Sequence, residues 1–376
     1  QRQLVKTKQT DINLLTGAWR LSPSEVRLEE TIGQGAFGQV WKGALHDRWV
    51  VAIKMMRPDV GSQKLSNSKK QGSRSKSRNR TASRSRSRSI YSYDEVKFLI
   101  RTRHERLVMF LGCGIGENNE CFLVSEFMDG GSLDRVLWGS SSLPWMQRVQ
   151  ILLDVVDGLA YLHLMHKSVH RDVKSPNIML EKKKDNKYRA KLADFGLSKI
   201  FTRNKKRAAL SEELKDSSSI KAIRAAHWMT RLKGFVGTPR WMAPEMMDAE
   251  AEFGPSADIY SFGVVMWEVW TCRKPWSEFS EKQDIFNAVK NERMTLSCKG
   301  VSTAEPRGYV PLMQSCWSYE PTKRPLIDVV RKRMQVIRES AAAMITCGDD
   351  NDDDGDVGTS VKVGGVDDEI EMAALS

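Results

Sequence analysis

Eight consecutive residues, His170-Arg171-Asp172-Val173-Lys174-Ser175-Pro176-Asn177, gather a carboxylate, a cation and an amide oxygen within one short stretch. Seventeen residues after Asn177 comes Asp194-Phe195-Gly196, which adds a second carboxylate. Phosphoryl transfer asks a protein for few side chains. It needs a carboxylate to orient an attacking hydroxyl, a cation beside the moving group, and oxygen ligands for Mg²⁺. Asp172 suits the hydroxyl, Lys174 the phosphate, and Asn177 with Asp194 the metal. His-Arg-Asp alone is common by chance; Lys two residues on, Asn five on and Asp-Phe-Gly beyond make a specific constellation.

Such a loop needs a large scaffold, and 376 residues can bury one two-lobed domain or two smaller ones. Composition is that of a globular protein, 40% hydrophobic and 28% charged. The net charge of +12 suggests nucleic acid until it is located. Residues 61–93 hold ten Lys/Arg and no acid, and residues 201–233 hold nine bases against three acids. The basicity thus lies in two segments, which argues against a nucleic-acid-binding surface on the domain itself. Six cysteines show no Cys-x-x-Cys spacing, so a reduced compartment is expected, the cytoplasm first and the nucleus second. His166 and His170 straddle a loop signal and are not read as a metal pair. No apolar run approaches the roughly 18 residues that span a bilayer. The chain begins on Gln1, so an upstream region carrying a membrane anchor is left open.

Val26–Ile32, Gln39–Ala44 and Trp49–Met55 read as strands, and residues 1–21 as a polar leader. Between the first two lies Ile32-Gly33-Gln34-Gly35-Ala36-Phe37-Gly38-Gln39-Val40. A dinucleotide-binding domain would follow these glycines with a helix. Here the pattern stays strand-like into Val51-Ala52-Ile53-Lys54, which favours a flap whose backbone N–H groups close over phosphate. A hairpin chosen only for its turn is the plainer alternative.

These motifs, in this order, resemble a eukaryotic protein kinase over residues 22–340. The resemblance implies an α+β, two-lobed fold with a small antiparallel β lobe (22–126) and a larger, mostly helical lobe (129–340). It implies ATP and Mg²⁺, with the flap Ile32–Val40 over the nucleotide and Lys54 on its α/β-phosphates. Lys54 should pair with Glu95, which lies in Asp94-Glu95-Val96-Lys97-Phe98-Leu99-Ile100, where Val96, Leu99 and Ile100 share a helical face; Asp94 is the alternative. Ser125 matches the residue guarding the pocket behind adenine. Backbone groups of Glu126 and Met128 would bond adenine, with Val40, Ala52 and Met179 on its faces. His170 and Phe195 would pack in a stack with Leu99 and Phe110, which a plain core reading also gives.

Lys174 and Gly237-Thr238-Pro239-Arg240-Trp241-Met242 resemble serine/threonine kinases, so protein substrates with Ser/Thr acceptors are implied. The wording looks most like the tyrosine kinase-like group, its mixed-lineage and Raf-like members. The segment from Asp194 to Ala243-Pro244-Glu245 is long, with Ser211, Ser217, Ser218, Ser219 and Thr230 as candidate sites for an upstream activating kinase and Arg171 as the phosphate's partner. Asp258 should brace the catalytic loop, and Arg324 should pair with Glu245. Trp145–Leu162 shows apolar residues at helical spacing and leads into that loop.

Forty-one positions separate Lys54 from Glu95, and the excess is Gly61–Ser89, which ends in Arg-Ser units. It has almost nothing to bury and is expected to be disordered. It stands open as a solvated insertion, an Arg/Ser segment that binds RNA or similar proteins, or an error such as retained intron sequence. The tail over 341–376 reads as acidic and disordered. Two rivals remain beside an active kinase: an inactive kinase-fold scaffold, and an RNA-associated protein acting through its Arg/Ser segment.

Overall fold

The computed structural model describes residues 19–35, 38–56, 93–117, 120–139, 143–194, 199–200, 230–231, 237–248, 252–299, 301 and 304–346. The Arg/Ser-rich insertion, the phosphorylation candidates other than Thr230, and the acidic tail from residue 347 lie outside the described residues.

Strands β1 (Val26–Gly35), β2 (Gly38–Leu45) and β3 (Trp49–Met56) form two antiparallel hairpins. Helix α1 (Tyr93–Arg101) follows, then β4 (Phe110–Ile115) and β5 (Cys121–Glu126). The five strands make one antiparallel sheet ordered β1-β2-β3-β5-β4. Val51 and Ile53 of β3 meet Phe122 and Val124 of β5 in a dry layer. Helix α1 buries Val96 and Leu99 as its sequence period predicts, with Ile100 partly buried, and buries Phe98 as well. The folded part reaches back to Trp19, inside the stretch read as a leader over residues 1–21. Leu21 N–H donates to Cys113 O (2.8 Å), Cys113 N–H donates to Trp19 O (2.9 Å), and the Trp19 ring stacks on Phe110. Three residues added to a sheet edge leave no readable period.

The second lobe is mostly helical. After β6 (Gly131–Ser132) come α2 (Leu133–Leu137) and α3 (Trp145–Ala160), the latter continuing through one π-helical turn, Tyr161–Met165. Pro144 at the start of α3 offers no side-chain cap. Val149, Leu152, Leu153, Val156, Leu159 and Leu162 are buried instead, at about 1.5–3 kcal/mol each. Short strands β7 (Ser168–Val169), β8 (Ile178–Lys182) and β9 (Tyr188–Leu192) carry the loops of interest, with β8 and β9 antiparallel. Farther on, β10 (Lys199–Ile200) pairs with β7, and β11 (Thr230–Arg231) with β12 (Glu252–Phe253).

Helix α4 (Pro255–Thr271) is apolar on nearly all sides and buried from Ala257 to Trp270, as a helix at the centre of a lobe must be. After it come α5 (Lys282–Phe286), α6 (Tyr309–Cys316), which packs on α4, and α7 (Ile327–Thr346), which packs on α3. In α7 the residues Ile327, Val330, Met334, Ile337 and Ala341 are buried at helical spacing, and the helix runs six residues past the sequence-drawn boundary at 340. The architecture is α+β, an antiparallel sheet lobe beside a helical lobe. Among the described residues no helix is long and apolar enough to cross a membrane.

Candidate active site

The π-helical turn after α3 delivers His163 to Asp258 on α4, with Nε2 and Oδ2 2.8 Å apart. The same carboxylate accepts the backbone N–H groups of His170 and Arg171, each at 2.8 Å. Arg171 sits at φ 73°, a left-handed conformation that a non-glycine residue keeps only under constraint. Burial pushes the Asp258 carboxyl up, but the His163 bond and the Arg171 N–H outweigh it and hold it below the ordinary value. His170 is fully buried, and its Nδ1 accepts Asp172 N–H at 3.3 Å. Nε2 therefore carries the ring proton and donates to Ala193 O at 3.0 Å. Burial holds this imidazole's pKa down and keeps it neutral. The loop is thus tied to α4 on one side and to the residue before Asp194 on the other.

Asp172 is the meeting point. Its Oδ1 accepts Thr238 Oγ1–H at 2.9 Å. Its Oδ2 accepts Asn177 Nδ2–H at 3.0 Å and lies 2.7 Å from Lys174 Nζ. Lys174 Nζ also donates to Thr238 Oγ1 at 2.6 Å, which closes a triangle of carboxylate, ammonium and hydroxyl. Gly237 makes that approach possible: at φ +121° a Cβ there would lie 2.9 Å from Arg171 O. Asn177 Nδ2 also donates to Asp172 O at 2.9 Å, so the amide oxygen is the atom left to face a cation. Asn177 O accepts Ala193 N–H at 2.8 Å, which sets Asp194 beside this loop.

Asp194, at φ 57°, accepts Lys54 Nζ at 2.7 and 2.8 Å. Burial would raise its carboxyl pKa; the contact with Lys54, with Lys174 and His170 nearby, lowers it instead and keeps it ionised. The expected partner of Lys54, Glu95, is placed in α1, but its side chain lies outside the described residues. The described partner of Lys54 is Asp194. A carboxylate and an amide oxygen at the two feet of the β8–β9 hairpin form a hard donor pair that fits a divalent cation such as Mg²⁺.

The flap and hinge expected around a nucleotide lie on the sheet that carries Lys54. Gly33 pairs with Val40, Gln34 with Gln39 and Gly35 with Gly38, while Ala36 and Phe37 lie outside the described residues. Gly38 is obligatory, since a Cβ there would lie 1.9 Å from Met55 O. Val40 pairs with Lys54 and Ala52 with Ser125, so these residues share one patch of sheet. Glu126 N–H is committed to Met109 O (3.0 Å), which narrows its candidate adenine contact to the carbonyl. Met128 O accepts Gly131 N–H (3.2 Å), which leaves its own N–H as candidate. Met179 on β8 pairs with Ser132 below. Ile32 O accepts Arg135 Nη2–H (3.1 Å) from α2, a link across the cleft that the sequence did not announce. A second such link is Lys191 Nζ on Glu126, at 2.7 and 2.8 Å.

Arg324 bonds Glu245 bidentately (2.6 and 2.8 Å), as expected, and also donates to Ser256 O, Ser318 O and Tyr319 O. Thr230 is placed in β11, with its side chain outside the described residues.

The family model of the protein kinase domain matches residues 26–334. The chain belongs to the protein kinase family. Protein kinase domains as a family use ATP with a divalent metal and act on protein acceptors. It is 31% identical over 316 residues to the dual specificity protein kinase shkC of Dictyostelium discoideum, covering 82% of this chain and 51% of that one. It is 28% identical over 325 residues to the serine/threonine-protein kinase CTR1 of Arabidopsis thaliana, covering 84% of this chain and 32% of that one. A putative serine/threonine-protein kinase/receptor, R826, of Acanthamoeba polyphaga mimivirus is 28% identical over 83% of this chain. The chain spans about half or less of the length of these relatives. Serine/threonine and dual-specificity kinases among the relatives agree with the tyrosine kinase-like resemblance.

Proposed function

We propose that this kinase transfers the γ-phosphoryl group of ATP to serine and threonine hydroxyls of proteins, as a step in signal transduction. The observation that carries the reading is the triangle at Asp172. Its carboxylate is held by Thr238, Asn177 and Lys174 with distances of 2.7 to 3.0 Å. In this reading Asp172 orients the acceptor hydroxyl and takes its proton as the new P–O bond forms and the bond from the γ-phosphorus to the β-phosphate oxygen breaks, releasing ADP. Lys174 and Lys54 neutralise charge on the phosphates, and Glu95 steadies Lys54. Ile32–Val40 cover the nucleotide, and Ala52, Ser125, Glu126, Met128 and Met179 seat its base. Asn177 and Asp194 would hold Mg²⁺, which supplies charge neutralisation between the phosphates. Thr238, bonded to both Asp172 and Lys174, supports a Ser/Thr acceptor.

The test is transfer from radiolabelled ATP to a mixed peptide array, followed by phosphoamino-acid analysis. Label on phosphoserine and phosphothreonine is expected. Label mainly on phosphotyrosine would overturn the acceptor assignment. A substantial share on all three would favour dual specificity, the property in the name of shkC. Nucleotide binding without any transfer would favour a scaffold.

A further inference from the structure

Helix α4 carries a second buried carboxyl ten residues after Asp258. Glu268 is 0% exposed, and among the described residues no cation pairs with it. Ser175 Oγ–H donates to its Oε1 at 2.7 Å, and Trp241 Nε1–H donates to its Oε2 at 2.6 Å. Burial pushes this carboxyl up to about 8, and the nearby like charge of Asp134 on α2 adds to the rise. A buried carboxyl that accepts a donor on each oxygen acts as a two-ended hydrogen-bonding bracket.

The two ends of the bracket matter because of where they lead. Ser175 directly follows Lys174 and stands two residues before Asn177; Trp241 stands three residues after Thr238. Lys174, Asn177 and Thr238 are the side chains that converge on Asp172. Two separate loops thus meet at Asp172 in front and at Glu268 behind. Ser261 Oγ–H also donates to Trp241 O (2.7 Å), so α4 fixes the backbone of Trp241 as well as its ring.

We infer that Glu268 is a positioning residue for phosphoryl transfer, bracketing the catalytic loop and the Thr238 segment to one helix so that both reach Asp172. This rests on Asp172 being the group that orients the acceptor. A serial link has a specific signature: once it is cut at one end, cutting the other end costs nothing more.

The experiment compares the full chain with Ser175→Ala, Trp241→Phe, the double variant and Glu268→Gln, by kcat, KM for ATP and melting temperature. Each single cut should lower kcat about tenfold with KM for ATP little changed, the cost of a small misplacement at the reacting centre. The double variant should fall no further than the worse single variant. Glu268→Gln, whose neutral amide can bond both partners, should stay within about threefold of wild type. Losses that multiply in the double variant would overturn the inference, as would a Glu268→Gln loss as deep as that of Ser175→Ala. A folded wild-type chain that binds nucleotide but transfers nothing would overturn the parent reading, and this inference with it.

Discussion

Asp172 is held by three side chains of different kinds, and each should fail in its own way. Thr238 offers only a hydroxyl, whose Oγ1 donates to Asp172 and accepts from Lys174. Thr238→Ala removes that joint and leaves Asp172 held by Lys174 and Asn177 alone. We predict a loss in kcat of about 10²-fold, within the range for a misplaced acid–base group, with KM for ATP nearly unchanged. Thr238→Ser keeps the oxygen and should recover most of the rate. Steady-state kinetics on the two variants checks this, and equal losses in both would remove the hydroxyl from the account. Ser125, between Ala52 and Phe110 in the sheet, argues a second case. Ser125→Phe should weaken bulky ATP-competitive inhibitors while sparing ATP turnover; parallel loss of both would reject its place behind the base.

At the scale of elements, α4 acts through buried acids of opposite character. Asp258 meets two backbone N–H groups and a histidine, which hold its pKa below the ordinary value. Its contribution to stability is then present above the unfolded-state pKa of about 4 and lost as pH falls through the lower folded value. Asp258→Asn should lower the melting temperature at pH 7, and the deficit should shrink as pH drops below about 4. Glu268 has the opposite sign. Its folded pKa of about 8 lies above the ordinary 4.5, so stability relative to Glu268→Gln falls as pH rises from the lower value toward the upper. Thermal melts from pH 5 to 8 should show Glu268→Gln gaining on wild type, and a constant difference would mean that Glu268 is ionised in the fold. The elements themselves were largely legible beforehand. The apolar faces of α1 and α3 repeat at helical spacing, and the glycine flap stayed strand-like on both sides. The Glu268 bracket was not legible, because its partners Ser175 and Trp241 come from loops without a period.

At the scale of the molecule, long-range pairs hold the parts together. Arg324 is fully buried on its side chain and spans four backbone or carboxylate partners around Glu245. Arg324→Ala would leave a half-buried carboxylate unpaired and should cost about 3–5 kcal/mol in urea unfolding, whereas a loss below about 1 kcal/mol would place the pair with ordinary surface bridges. This pair could be anticipated from the motif around each partner. Glu126 with Lys191, 65 residues apart, and Ile32 with Arg135, 103 apart, could not. Nothing local marks Lys191 or Arg135 as a partner, and only the closing of one lobe on the other brings each pair together. The Lys54–Asp194 contact has the same origin, although both residues stood out individually by type and spacing.

The most direct test of the whole account is a single-turnover measurement of phosphoryl transfer by wild type and Asp172→Asn, with nucleotide affinity measured on both. The account predicts that Asp172→Asn slows transfer by about 10²–10⁴-fold while its Kd for ATP stays within about threefold of wild type. Transfer by Asp172→Asn at a near wild-type rate would contradict it.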